Sequence, residues 1–321
     1  MSTVQRDAAA TDPIPTVSGV AVPDASALLG AAVWLGAVLA GALGTVPRAL
    51  ALAPLILVPL GVGMAGQRPF PGLAGTCLRT AVWCQPVGAL GFTASLALDV
   101  TGPTAALLAA PWLVVTGLLG LAALVRTLDR GGLALPETAV DAGLAYVSVG
   151  AVALLLFHLD ITFYFGSTII LLTAVHFHYA GFVLPVVTGL TGRSGHLDSR
   201  RWRSLVGVIL AGPAIIAVGI SFSPLVEVVA VGGFTVAVAL FGWYVLLRIA
   251  PARPRRQAVL LGASAVALPV SMALALGYGV ATFSGVDLGL DIATMVALHG
   301  TLNAFGFALL GLVGWRLAVP E

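Results

Sequence analysis

Three of the chain's five histidines, His158, His176 and His178, fall with Asp160 inside one apolar run, residues 157 to 189, FHLDITFYFGSTIILLTAVHFHYAGFVLPVVTG. Placing an Asp at a helix centre in hydrocarbon costs roughly 2.5 to 3.5 kcal/mol on insertion scales, so ionisable groups held there mark function by default. Histidine is the most versatile of them, because small shifts carry its protonation across physiological pH and its neutral ring also ligates metals. His176 and His178 are two apart, about 200° around a helix, so they face different ways, whereas Thr173, His176 and Tyr179 fall on adjoining positions. A second cluster lies near the end of the chain in DIATMVALHGTLNAFGFALLGLVGWRL, where His299 and Asn303 are four apart and share a helical face. The chemistry these types support is general acid/base catalysis. His176 and His299 would be the acid and base, and Asn303 and Tyr179 would orient the substrate or stabilise an oxyanion. His158 with Asp160 would be a relay to the outside, the carboxylate orienting the imidazole. Gln85, His178 and Thr173 complete the set as substrate-binding groups.

Each has a structural reading beside the chemical one. A membrane histidine, or a His299–Asn303 pair, can serve as interhelical glue, although such hydrogen bonds average only about 0.6 kcal/mol. His158 and Asp160 can be an exposed loop pair. Gln85 can satisfy the carbonyl left free by Pro86, which has no N–H to donate. Glu227, three residues after Pro224, suits a helix N-terminus, and His196 in an Arg-rich loop reads as solvated.

The elements that must position these residues are membrane spans. With 59% hydrophobic and 9% charged residues over 321 positions, the chain lies far from the roughly one-quarter charged content of soluble domains. Apolar segments near 27–46, 49–66, 79–98, 103–125, 138–157, 163–190, 204–222, 225–247, 257–282 and 292–315 each approach the ~20 residues that cross ~30 Å of hydrocarbon. The prediction is an all-α, polytopic bundle of ten spans in one domain, residues 26–321. Residues 1–25, without periodicity or a signal-peptide pattern, read as a flexible cytoplasmic tail. All 15 basic residues are arginines, and apart from Arg48 they fall in the tail, the even-numbered connections or the C-terminus. By the excess of positive charge expected in cytoplasmic loops, both termini are cytoplasmic and the protein is a multi-pass plasma-membrane protein. The net charge of +2 gives no reason to expect nucleic acid as a partner. Cys77 and Cys84 lack metal-site spacing and read as small buried apolar residues.

No Gly-rich phosphate loop, aspartate-rich diphosphate motif, GxSxG or HExxH occurs, and no paired carboxylates stand within the spans, which argues against phosphoryl transfer, prenyl transfer, serine hydrolysis and zincin chemistry. No cofactor is implied. The expected partners are a small lipophilic substrate and membrane lipid. The leading expectation is an intramembrane enzyme that isomerises, cyclises or hydrolyses a lipophilic metabolite. The alternatives are a proton-coupled permease, and then a metal or haem protein using His176, His178 and His299. HFHYAGFVLPVVTG and MVALHGTLNAFGFALLGLVGW, with looser support from VWCQPVGAL and PETAVDAGLAYVSVGAVALLL, resemble the YndJ-like family of bacterial integral membrane proteins. That resemblance implies a multi-helix membrane fold and singles out Gln85, His176, His178, Tyr179, His299 and Asn303 without assigning a reaction. In general character the chain also resembles the small membrane-bound cyclases and isomerases of natural-product pathways.

Overall fold

A computed structural model describes residues 14–195, 197 and 199–320. Ten long helices follow one another: α1 Val22–Leu39, α2 Thr45–Ala65, α3 Gly72–Ala97, α4 Gly102–Asp129, α5 Glu137–His158, α6 Ser167–Gly195, α7 Arg200–Phe222, α8 Pro224–Ala252, α9 Arg255–Ser284 and α10 Ile292–Leu317. Nine are both long and apolar enough to cross a membrane. The exception is α3, which spans 26 residues but carries Arg79, Gln85 and Pro86, the polar and helix-breaking positions that dilute its hydropathy. A helix satisfies nearly all its backbone polar groups internally, the requirement hydrocarbon imposes on any spanning segment, and neighbouring side chains can supply donors where prolines interrupt it.

The first span and the start of the third are displaced: the sequence begins the third at 79, whereas α3 begins at Gly72. The sequence places the first span at 27–46, whereas α1 begins at Val22 with Pro23 in its first turn, where the missing N–H costs nothing. Residues 14–25 are therefore structured. A two-stranded hairpin, β1 Thr16–Val17 with β2 Val20–Ala21, leads into the helix, and Ile14 is buried beside Gly66, where a Cβ would come within 2.3 Å of it. Asp24 in the first turn pairs with Arg316 near the other end of the chain, Oδ1 accepting from Nε at 2.7 Å. The earlier part of the expected tail, residues 1–13, and the loop residue His196 lie outside the described residues.

Successive helices pack against one another through α3–α4–α5–α6 and again through α7–α8–α9, and α10 packs on α9 while touching α2 and α6. Lipid supplies no hydrophobic drive for helix association, so close backbone approach through small residues takes its place. At Gly30 a Cβ would sit 2.0 Å from the carbonyl oxygen of Leu55, and at Gly91 one would sit 2.4 Å from that of Leu108. Five stretches of these helices adopt π geometry: Ala53–Leu57, Tyr179–Val183, Val245–Ile249, Val296–Gly300 and Leu302–Leu309. Single π-turns are uncommon and concentrate at functional sites. Three of the five contain or border residues singled out by the sequence.

Candidate functional site

His176 lies near the middle of α6, immediately before the π-turn that begins at Tyr179. The first part of α2, residues 45–52, touches both the first half of α6 and the π-turn of α10 that carries His299. The rings of His176 and His299 thereby come to 6.3 Å between centroids, so the two histidines stand side by side. His176 is exposed and His299 half-buried, which places the pair at the surface of the bundle, between α6 and α10, rather than in a packed core.

Hydrogen bonds fix the tautomers. His176 Nδ1 lies 2.7 Å from the carbonyl oxygen of Leu172, and a carbonyl only accepts, so Nδ1 carries the proton and donates. His299 Nδ1 lies 2.9 Å from the carbonyl oxygen of Ser271 on α9, which fixes the same tautomer. Asn303 Nδ2 donates to Ser271 Oγ at 2.5 Å and to the carbonyl of His299 at 3.0 Å. Nδ2 also lies 3.2 Å from His299 Nε2, so that nitrogen is within reach of the amide, whereas Nε2 of His176 meets no hydrogen-bond partner among the described residues. Ser271 escaped the sequence reading. Its only signal there is a hydroxyl two residues after Pro269 in an otherwise apolar span.

His178 faces elsewhere, as the two-residue spacing predicts. It is fully buried, donates from Nδ1 to the carbonyl of Ala174 at 2.7 Å and accepts at Nε2 from the indole N–H of Trp112 on α4 at 3.0 Å. Both ring nitrogens are occupied, and Phe92 packs edge-on against the ring at 5.5 Å. It stands apart from the His176–His299 pair, so a three-histidine set of His176, His178 and His299 is not assembled. Tyr179 is buried, its hydroxyl donating to the carbonyl of Ala49 on α2 at 2.6 Å, which ties α6 to α2. Thr173 donates to the carbonyl of Ile169 at 2.8 Å within its own helix.

The remaining sequence candidates lie elsewhere. His158 meets Ser95 on α3 at 3.0 Å through Nε2, and because Ser95 Oγ donates to the carbonyl of Phe92 it accepts from His158. No hydrogen bond joins His158 to Asp160 among the described residues. Asp160 is exposed in the following turn with φ of 54°, so the expected pair is not formed. Gln85 is buried and bridges three helices, accepting from Ser26 on α1 and donating from Nε2 to the carbonyl of Pro54 on α2 at 2.7 Å. It therefore serves α2 rather than the carbonyl freed by Pro86.

A second polar assembly, which the sequence reading missed, sits where the end of α2 meets α4, α5 and α6. Arg126 contacts Glu137 and donates to Asp141 at 2.8 Å; Arg130 also reaches Asp141 at 2.8 Å, and Arg193 reaches Glu137 at 2.8 Å. Arg193, whose side chain is 0% exposed, further donates to the carbonyls of Met64 and Ala65 that end α2, where cations are favoured by the helix dipole. Arg126 donates to the carbonyl of Pro69 and stacks 4.2 Å over Phe70. The available sequence signal was Glu137 and Asp141 at i and i+4 opening one span, just after the RTLDR that closes another.

A helical bundle of this length and hydropathy, with ionisable side chains gathered between its spans, defines an integral, multi-pass membrane protein. The chain belongs to the YndJ-like protein family, whose model matches residues 48–307. It is 32% identical over 276 residues to the "Uncharacterized membrane protein YndJ" of Bacillus subtilis (strain 168), a match covering 85% of this chain and 49% of that protein. The chain thus spans about half the length of that relative. No solved structure matches it.

Proposed function

We propose that the protein is a membrane-embedded enzyme that isomerises, cyclises or hydrolyses a lipophilic metabolite, with His176 and His299 as its acid and base. The observation that carries this reading is the pair of imidazoles 6.3 Å apart, each with Nδ1 committed to a backbone carbonyl, with Nε2 of His176 left for a substrate and Nε2 of His299 3.2 Å from the Asn303 amide. One ring removes a proton from one position of a bound molecule and the other returns it to a neighbouring position, which is the minimum an isomerisation or cyclisation requires. Asn303 and Ser271 position His299, and Tyr179 holds the backbone of α2 against α6. Leu298, 50% exposed beside His299, supplies an apolar rim suited to a lipophilic molecule.

Replacing either histidine by Gln keeps a polar side chain of similar reach but removes the ring nitrogen that can accept and return a proton. Metabolite profiles of membranes carrying the natural chain, His176→Gln or His299→Gln are compared with the folded yield of each in detergent. Conversion is expected to fall by about 10² to 10⁴-fold, while a single interhelical hydrogen bond accounts for only ~1 kcal/mol of stability. Full conversion by both variants defeats the assignment. A proton-coupled permease is the second reading, favoured by the π-turns that interrupt α2, α6 and α10. Movement of an unmodified solute by the purified protein in vesicles selects it.

A further inference from the structure

The arginine-rich assembly borders a cavity of about 620 Å³ lined by Arg68, Arg126, Arg130, Arg193, Glu137 and Asp129, among others. Most of its guanidinium donors are consumed. Arg193 is spent on Glu137 and the end of α2, and Arg126 on Pro69, Asp141 and Glu137. Two groups are different. Arg130 holds Asp141 and Thr127 through Nη2 alone, and its Nε is buried with no hydrogen-bond partner. Arg68 is exposed on the same cavity, and no hydrogen bond or ion pair of its side chain occurs among the contacts resolved. A buried guanidinium N–H without an acceptor costs free energy comparable to a lost hydrogen bond, so a donor left this way in a roomy polar cavity points to an acceptor that is supplied from outside.

Charge gives the sign of that acceptor. Three paired guanidinium groups face two carboxylates, Glu137 and Asp141. Arg68 adds a further positive charge at the cavity and Asp129 offsets it, so one positive charge remains. Arginine presents its N–H groups as a planar fork that matches tetrahedral oxyanions two bonds at a time. We propose that this cavity is a binding site for a phosphate group, held by Arg68 and by the free donors of Arg130, while the Glu137 and Asp141 network keeps the site rigid. The same chemistry is presented by the phosphodiester of a lipid headgroup and by a soluble phosphate ester. The site is separate from the histidine pair and does not depend on the reading given to it.

The test uses the full chain in detergent and in nanodiscs, with three probes: inorganic phosphate, glycerol phosphate, and nanodiscs of phosphatidylglycerol against phosphatidylcholine. Thermal stabilisation and binding are followed for the natural chain, for Arg68→Gln, and for Arg255→Gln with Arg256→Gln, two exposed arginines outside the cavity. Arg68 has no side-chain partner among the described residues, so its replacement is expected to leave folding intact. It is expected to weaken phosphate binding about tenfold, the worth of one charge-assisted hydrogen bond, with Arg68→Lys recovering part of the loss. Stabilisation by glycerol phosphate assigns a soluble ester as the source, and stabilisation by phosphatidylglycerol alone assigns a lipid headgroup. The proposal is overturned if no probe stabilises the protein, or if Arg68→Gln binds like the natural chain. It is equally overturned if the Arg255/Arg256 variant loses as much, which would mark diffuse attraction to a basic surface.

Discussion

Trp112 decides which of two neighbouring histidines is available. Its indole N–H occupies His178 Nε2 at 3.0 Å, and at Gly150 a Cβ would come within 2.5 Å of the same ring, so His178 is enclosed while His176 stays open. Replacing Trp112 by Phe preserves an aromatic body but leaves a buried imidazole nitrogen without its donor, a loss of about 1 to 3 kcal/mol. Thermal unfolding in detergent should show this as a lowered midpoint. Adding His178→Phe removes the stranded acceptor and should recover part of the difference, since deleting both partners costs less than deleting one. A Trp112→Phe protein that melts with the natural chain removes His178 from any structural role. The spacing of His176 and His178 foretold their opposite faces, because a helix turns about 100° per residue whatever surrounds it. Sequence could not foretell that adjacency would fail for His158 and Asp160: the helix ends between them, and the left-handed turn at Asp160 separates residues that are only two apart.

At the level of elements, the spans were legible because hydrocarbon sets both their length and their composition. The π-turns were not, since one inserted residue leaves no period of its own and depends on which carbonyls neighbouring helices can satisfy. The turn at Ala53–Leu57 shows the dependence. Within it the N–H of Val58 bonds to the carbonyl of Ala53, five residues back, so the next bond in that register would run from residue 59 to the carbonyl of Pro54. Residue 59 is a proline with no N–H to give, and Gln85 Nε2 supplies the missing donor at 2.7 Å. Gln85→Leu should therefore destabilise the protein by about 1 to 3 kcal/mol by stranding that carbonyl. In a Pro59→Ala background the backbone N–H is restored, and the same Gln85→Leu change should cost measurably less. Equal costs in the two backgrounds, read from unfolding midpoints, would show that Gln85 acts through Ser26 instead.

At the scale of the whole molecule, the arginine-carboxylate assembly joins four helices at one end of the bundle, and its ion-paired residues lie 11 to 56 positions apart in sequence. The spacing of Glu137 and Asp141 after RTLDR hints at the pairing of α4 with α5, but no local pattern brings in Arg193 from 56 residues away. Removing one partner of a buried ion pair typically costs ~3 to 5 kcal/mol because the other charge is stranded. Glu137→Gln leaves the fully buried Arg193 with no carboxylate, so a loss of that size is expected in unfolding midpoint and in folded yield. A neutral outcome would mean that water reaches Arg193 freely. Because the network lies where α2, α4 and α6 end and α5 begins, the connections 66–71 and 130–136 share one end of the bundle with the end of α6, and ten helices in alternation bring the start of α1 and the end of α10 to that end. The arginine excess in these connections predicts that this is the cytoplasmic end. Reporter fusions at 132 and 252 should then signal from the cytoplasm, and fusions at 101, 161 and 286 from the opposite side. A cytoplasmic signal at 161 would reverse the bundle and place the cavity lined by Arg68 and Arg130 on the outer face, where soluble phosphate esters of the cytoplasm could not reach it.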